Sequence, residues 1–181
     1  MIYTNSFNEE KAVARLAGIV ALKCGASSKE ADLLRTAAAL HDIGKQKIPK
    51  RILNKPGKLT AQEFEVVKTH TTLGAEMLTS IQGKLGEMAR VIAMYHHERY
   101  DGQGYWGKFL YELPHYLQFV TIADIFTALV CGRPYKEPWP PHDALAYIRS
   151  QSGAQFNPLL VDVFIPLARE DDRMSALFEG R

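Results

Sequence analysis

Apolar residues in this chain return every three or four positions, and no alternating run is long enough to demand a strand. Val13, Leu16, Ala17, Val20 and Cys24 share one helical face. A second helix is predicted over 31–40, carrying Leu33, Leu34, Ala37, Ala38 and Leu40, with Gly44 as its stop. Residues 45–58 contain Pro49, Pro56 and Gly57 and read as a loop with at most short helical turns. Thr60-Ala61-Gln62-Glu63 is a capping box opening a third helix with Phe64, Val67, Leu73, Met77 and Leu78. A fourth helix is expected over 85–97, then a glycine-rich loop over 101–107, then a fifth helix after Pro114 with Leu117, Val120, Thr121, Asp124, Ile125 and Ala128. Pro140-Pro141 and Asn157-Pro158 mark the first turns of two further helices. The expectation is an all-α fold forming one domain over residues 1–181.

Composition narrows the class. With 181 residues, 46% hydrophobic and 23% charged, the chain can bury a sizeable core and lies far from the disordered regime. A net charge of +2 offers no argument for a nucleic-acid polymer or a membrane surface as partner. Two cysteines, Cys24 and Cys131, fit a reducing cytoplasm better than a disulfide scaffold. The twelve residues from Ser150 to Val161 are the longest run without Asp, Glu, Lys or Arg, too short for a membrane span. The N-terminus lacks the basic and apolar regions of a signal peptide, so a soluble cytoplasmic domain is expected.

Ionisable residues stand where helical periodicity calls for apolar ones. His41 lies seven residues after Leu34 and continues its face; His70 lies three after Val67; His96-His97 closes the fourth helix; Asp124 shares the stripe of Leu117, Thr121 and Ala128. A single histidine on such a face is usually a hydrogen-bonded core residue. A lone carboxylate buried there costs several kcal/mol, about 3–5 when left unpaired. Four histidines and two aspartates together explain one another as a metal site. Imidazole with carboxylate suits first-row divalent ions such as iron, manganese or zinc. Six ligands exceed the needs of one tetrahedral ion, and two ions sharing a carboxylate would use them all. Such a pair activates a water and clamps the oxygens of a phosphate ester.

Charge distribution agrees with an anionic substrate. Between His41 and Lys58 six basic residues oppose Asp42 alone, a net +5 that leaves the rest of the chain at −3. Most of these lysines read as solvated loop charges, but Lys45 lies three residues beyond Asp42, close enough to reach an anion at the metals. Arg133 and Lys136 follow the Asp124 helix and offer a second cationic clamp.

The ordered motifs resemble the HD-GYP family of the HD superfamily, bacterial phosphodiesterases that cleave cyclic di-GMP. The likeness runs from about Val13 to Phe164. It rests on His41-Asp42-Ile43-Gly44-Lys45, Ile48-Pro49, Ile52 to Thr60, Lys68-Thr69-His70 and Gly74-Ala75. Further along it rests on Tyr95 to Arg99, Asp101 to Tyr105, Ile122 to Phe126, Arg133 to Lys136 and Gln155 to Pro158. The resemblance implies a compact helical HD fold with a dinuclear metal site at its centre. It implies His41, Asp42, His70, His96, His97 and Asp124 as ligands, with Asp42 bridging two divalent transition-metal ions, iron or manganese first and zinc or nickel after them. Lys45, Arg133 and Lys136 resemble the phosphate contacts, and Gly104 and Tyr105 the part that meets a guanine base. The implied reaction opens cyclic di-GMP to linear pGpG, and on to GMP, by a metal-bridged hydroxide, with Asp42 and Lys45 at the catalytic centre.

Departures from the family pattern are specific. Trp106 stands where the third motif residue is proline, which leaves the loop path less determined and offers an indole to stack on a base or pack on the domain. Glu9 replaces a histidine, and Asn5 a glutamate, that support a third metal in some members; Glu9 can still ligate as a carboxylate. Gln118 stands where arginine is frequent. The alternatives are a weakly catalytic cyclic-dinucleotide-binding or protein-docking module, or a phosphohydrolase of another cyclic dinucleotide or nucleotide. The chain carries no receiver or sensory domain, so it stands alone, is a fragment of a longer chain, or answers to a regulatory or diguanylate-cyclase partner protein.

Overall fold

In the computed structural model, residues 4–131 and 137–170 are described, and among them the chain is helical, with only two isolated β-bridges, Arg99 to Phe109 and Ser152 to Phe156. The helices are α1 (Thr4–Lys23), α2 (Ser28–Ala38), α3 (Lys50–Leu53), α4 (Ala61–Lys68), α5 (His70–Met77), α6 (Gly83–Tyr95), α7 (Tyr116–Cys131), α8 (Pro141–Ser150) and α9 (Pro158–Glu170). Short 3₁₀ turns occupy Ile43–Lys47, Leu78–Ser80 and Leu110–Glu112. No described helix is long and apolar enough to cross a membrane.

Local chemistry explains where helices start. At α2 the Ser27 hydroxyl accepts from the Glu30 amide, and the Ser27 amide donates to the Glu30 carboxylate at 2.8 Å. The predicted box at α4 has the same form, with the Thr60 amide donating to Glu63 at 2.7 Å. Such caps satisfy amides that have no partner within the helix. Asn157 caps α9 by accepting from the Leu159 amide at 3.0 Å. Pro141 opens α8 as its first residue.

The core is built around α7. Its Leu117, Phe119, Val120, Ile122, Ala123 and Phe126 are buried, as are Val13, Leu16, Ala17 and Val20 of α1. Helix α1 packs on α2 and α7, α2 on α6, α5 on α6, and α7 on α8. Each fully buried leucine, isoleucine or phenylalanine contributes roughly 1.5–3 kcal/mol through area removed from water.

Three expectations are corrected. Cys24 lies beyond the end of α1 and is exposed, because the helix stops at Lys23 before the apolar face completes another turn. The predicted third helix is two, broken at Thr69 between α4 and α5, with His70 as the first residue of the second. Gly44 is not the stop of α2, which ends at Ala38; it sits in the 3₁₀ turn pressed on α5. A Cβ on Gly44 would lie 1.9 Å from the His70 carbonyl oxygen and 2.5 Å from the Gly74 amide nitrogen. Only glycine allows that approach.

Candidate metal centre

Four elements deliver the six predicted ligands to one place. His41 and Asp42 come from the turn after α2, His70 from the first residue of α5, His96 and His97 from the end of α6, and Asp124 from α7. Gly44 seats the turn carrying His41 and Asp42 directly against the start of α5. The side chains of His41, His70 and His96 are buried, and Asp42 keeps only 12% of its surface.

Three imidazoles are aimed by their own backbone. Nδ1 of His41 donates to the Ala38 carbonyl at 2.8 Å, and that of His70 to the Val67 carbonyl at 2.7 Å. His96 shares its Nδ1 proton between the Ile92 and Ala93 carbonyls at 3.0 and 3.1 Å. A carbonyl can only accept, so each Nδ1 carries a proton and each Nε2 is the nitrogen turned inward, free to ligate when it carries none. Metal-ligating histidines use this orienting bond. Thr121 of α7 donates to the His96 carbonyl at 3.1 Å and so holds the end of α6.

Asp42 lies among these nitrogens. Its Oδ1 is 3.3 Å from His70 Nε2 and 3.6 Å from His96 Nε2; its Oδ2 is 3.3 Å from His41 Nε2 and pairs with the Lys45 ammonium. His41 Nε2 is also 3.8 Å from Asp124 Oδ1. Two ligand groups result, Asp42 with His70, His96 and His97, and His41 with His96 and Asp124. Asp42 Oδ1 is buried and has no hydrogen-bond donor. A buried carboxylate oxygen facing bare imidazole nitrogens fits a cation between them. The donor set suits first-row transition metals.

Electrostatics follows from that crowding. Burial opposes charge on His41, but the Asp42 and Asp124 carboxylates outweigh it and push its pKa up to about 9. Burial would likewise raise Asp42, yet Lys45 first and His41 next hold it well below the usual carboxylate range. His96 is pushed down by burial, and His97 further down by burial and by neighbouring His96. The cluster therefore holds neutral His96 and His97 beside an ionised Asp42 and a charged His41.

The predicted substrate contacts divide. Tyr105 lies on His97, ring centroids 4.5 Å apart, and meets Phe64 of α4 edge to face at 5.8 Å. A Cβ on Gly104 would lie 2.6 Å from Glu98 Cα, so glycine lets the loop close over the His97–Arg99 turn. Trp106 packs on the domain: its indole N–H donates to Thr71 at 3.3 Å while the ring stays 39% exposed. Gln118 is bound to the α9 cap, its Oε1 accepting from the Asn157 side-chain Nδ2 at 2.8 Å. Glu9, on α1, belongs to neither ligand group, and Arg133 and Lys136 lie outside the described residues.

Sequence reasoning passed over Glu98. Its carboxylate is 1% exposed and accepts from the backbone amides of Trp106 at 2.7 Å and Lys108 at 2.6 Å, clamping the glycine-rich loop at the mouth of the cluster. The available signal was its place directly after two candidate ligands and eight residues before Trp106.

Comparisons with known proteins agree with this architecture. A family model described as HD domain matches residues 3–160. A cyclic di-GMP phosphodiesterase response regulator of Xanthomonas campestris pv. campestris is 42% identical over 163 residues, 90% of this chain and 43% of the relative. A 3'3'-cGAMP-specific phosphodiesterase of Vibrio cholerae is 39% identical over 142 residues, 78% of this chain and 27% of the relative. This chain thus spans less than half the length of these curated relatives. Among solved structures, an HDGYP protein from Bdellovibrio bacteriovorus shares the fold with a TM-score of 0.73 at 19% identity, covering 93% of this chain and 55% of that one.

Proposed function

Because the chain belongs to the HD domain family, we propose that it is a metal-dependent phosphodiesterase that hydrolyses cyclic di-GMP to linear pGpG, and more slowly on to GMP. One observation carries this reading: the Nε2 atoms of His70 and His96 converge on a buried Asp42 oxygen that has no donor, while that of His41 faces the other oxygen of the same carboxylate. With His97 and Asp124, these residues would hold two divalent ions, iron or manganese before zinc or nickel, with Asp42 shared between them. When bound, the ions supply Lewis acidity and an activated water for in-line displacement at phosphorus.

The remaining roles belong to the chain. Asp42 is held ionised by its cationic neighbours and stays a ligand instead of a proton donor. Lys45 brings an ammonium to the same carboxylate and stabilises charge building on the phosphoryl oxygens. Water oxygen joins phosphorus, the bond from phosphorus to the 3' oxygen breaks, and that oxygen leaves with a proton. Arg133 and Lys136 are proposed to contact phosphate, and Gly104, Tyr105 and Trp106 to form the substrate-facing loop. The working compartment is proposed to be the cytoplasm, with a regulatory or diguanylate-cyclase protein as partner.

Relatives named for cyclic di-GMP and for 3'3'-cGAMP make the base preference a matter for experiment. Manganese-loaded protein should open cyclic di-GMP faster than 3'3'-cGAMP when the rates are followed side by side by chromatography. Faster opening of 3'3'-cGAMP would reassign the substrate, and tight binding of both without turnover would favour a binding module.

A further inference from the structure

Helix α4 buries none of its side chains, yet it carries Phe64, 41% exposed, on the side that meets Tyr105. A single exposed aromatic needs no explanation. Phe64 is not isolated: it meets Tyr105 edge to face at 5.8 Å, and Tyr105 lies on His97 at 4.5 Å. An aromatic wall therefore runs from a proposed metal ligand out to the surface in two ring contacts. One turn along α4, the Lys68 ammonium stands 5.6 Å from the centroids of both the Phe64 and Tyr105 rings and pairs with Glu65 at 2.9 Å. The lip of the wall thus carries a cation where an anionic ligand would enter. The opposite anchor is firm, since Glu98 and Thr71 fix the loop bearing Tyr105 through Trp106.

We infer that Phe64 is a substrate-binding residue that stacks one base of the bound cyclic dinucleotide, extending the wall begun by Tyr105. This inference rests on the phosphodiesterase reading. It follows from the same physics by which single-stranded nucleic acid is held: aromatic faces take bases regardless of identity, and basic groups take the backbone. The helix buries no residue, Phe64 included, so its exposed surface is left for a ligand. Base stacking on a protein aromatic is worth a factor of roughly 5 to 150 in affinity.

Full-length, manganese-loaded wild type, Phe64→Ala and Phe64→Trp would be compared on cyclic di-GMP, with inorganic phosphate binding as a base-free control. The expected result is a KM raised by roughly 5- to 150-fold in Phe64→Ala with kcat within about twofold, restored in Phe64→Trp. Phosphate affinity should be the same in all three. If wild type leaves cyclic di-GMP intact, the phosphodiesterase reading and this inference fall together. If wild type opens it and Phe64→Ala keeps the same KM, this inference alone is overturned. A parallel loss of phosphate affinity in Phe64→Ala also overturns it, because a disturbed metal centre would then explain the KM.

Discussion

Nε2 of His70 stands 3.3 Å from Oδ1 of Asp42, while the other nitrogen of the same ring donates to the Val67 carbonyl at 2.7 Å. A neutral His70 so oriented turns only a lone pair toward a carboxylate oxygen. Two such acceptors at this distance repel unless a cation lies between them. His41 also binds a carbonyl through Nδ1 and turns Nε2 toward the other oxygen of Asp42, which pairs with the Lys45 ammonium. The centre is therefore arranged to receive a positive charge, which a metal ion would supply.

Lys45→Ala removes an ammonium that is not among the ligands. Its expected effect is a kcat lowered by roughly 10²–10³-fold, the usual consequence of losing one donor to a developing oxyanion, with KM little changed. Steady-state kinetics beside elemental analysis checks this. Metal content should equal that of wild type.

Metal binding should release protons. Metal-free folded protein keeps His41 charged up to about pH 9, and ligation requires its Nε2 bare. At pH 7.5 calorimetry in buffers of different ionisation enthalpy should give about one proton released per His41 ligated, and affinity should rise toward pH 9. For the metal-free fold the sign is opposite. A raised imidazole contributes stability in full below its unfolded value of about 6.5 and loses it as pH climbs through about 9. Asp42, held low, contributes above the ordinary carboxylate range and loses that contribution as pH falls below it. Buffer-independent binding enthalpies would contradict the assignment of His41.

Glu98→Gln keeps size but replaces one acceptor oxygen by an N–H donor. The amides of Trp106 and Lys108 then cannot both be satisfied. A buried unsatisfied amide costs about 1–3 kcal/mol, which for a domain of this size lowers Tm by roughly 2–12 °C. Thermal denaturation checks the magnitude. Limited proteolysis should show earlier cutting within 102–108.

Gly44→Ala places a methyl group against α5 backbone that has no room for it. The turn carrying His41 and Asp42 must move away from His70. Overpacking of this kind costs about 1–3 kcal/mol. Stability and metal content should fall together, and a variant that lost stability but kept full metal content would contradict the proposed linkage.

Much of the fold was legible because its signals are local. The capping box at Thr60, the prolines opening α8 and α9, and the apolar stripe of α7 each decide structure within a few residues. The six candidate ligands were legible for a related reason, since charged groups on apolar helical faces conflict with local patterning. What escaped depends on contacts distant in sequence. Gly44 reads as a helix stop until α5 is packed against it, and the break at Thr69 is invisible to a period that runs through both helices. Glu98 looks like any surface glutamate until the loop folds back and places two amides on it. Trp106 allowed two fates, and its bond to Thr71 shows the packing.

The central claim, that these six side chains form a metal centre sharing Asp42, is tested most directly by the number of ions retained per chain after reconstitution and gel filtration. Wild type should retain two divalent transition-metal ions, and Asp42→Asn should retain fewer than one, with affinity weakened by at least roughly 10–100-fold. Retention of no metal by wild type, or equal retention by both proteins, would contradict the account.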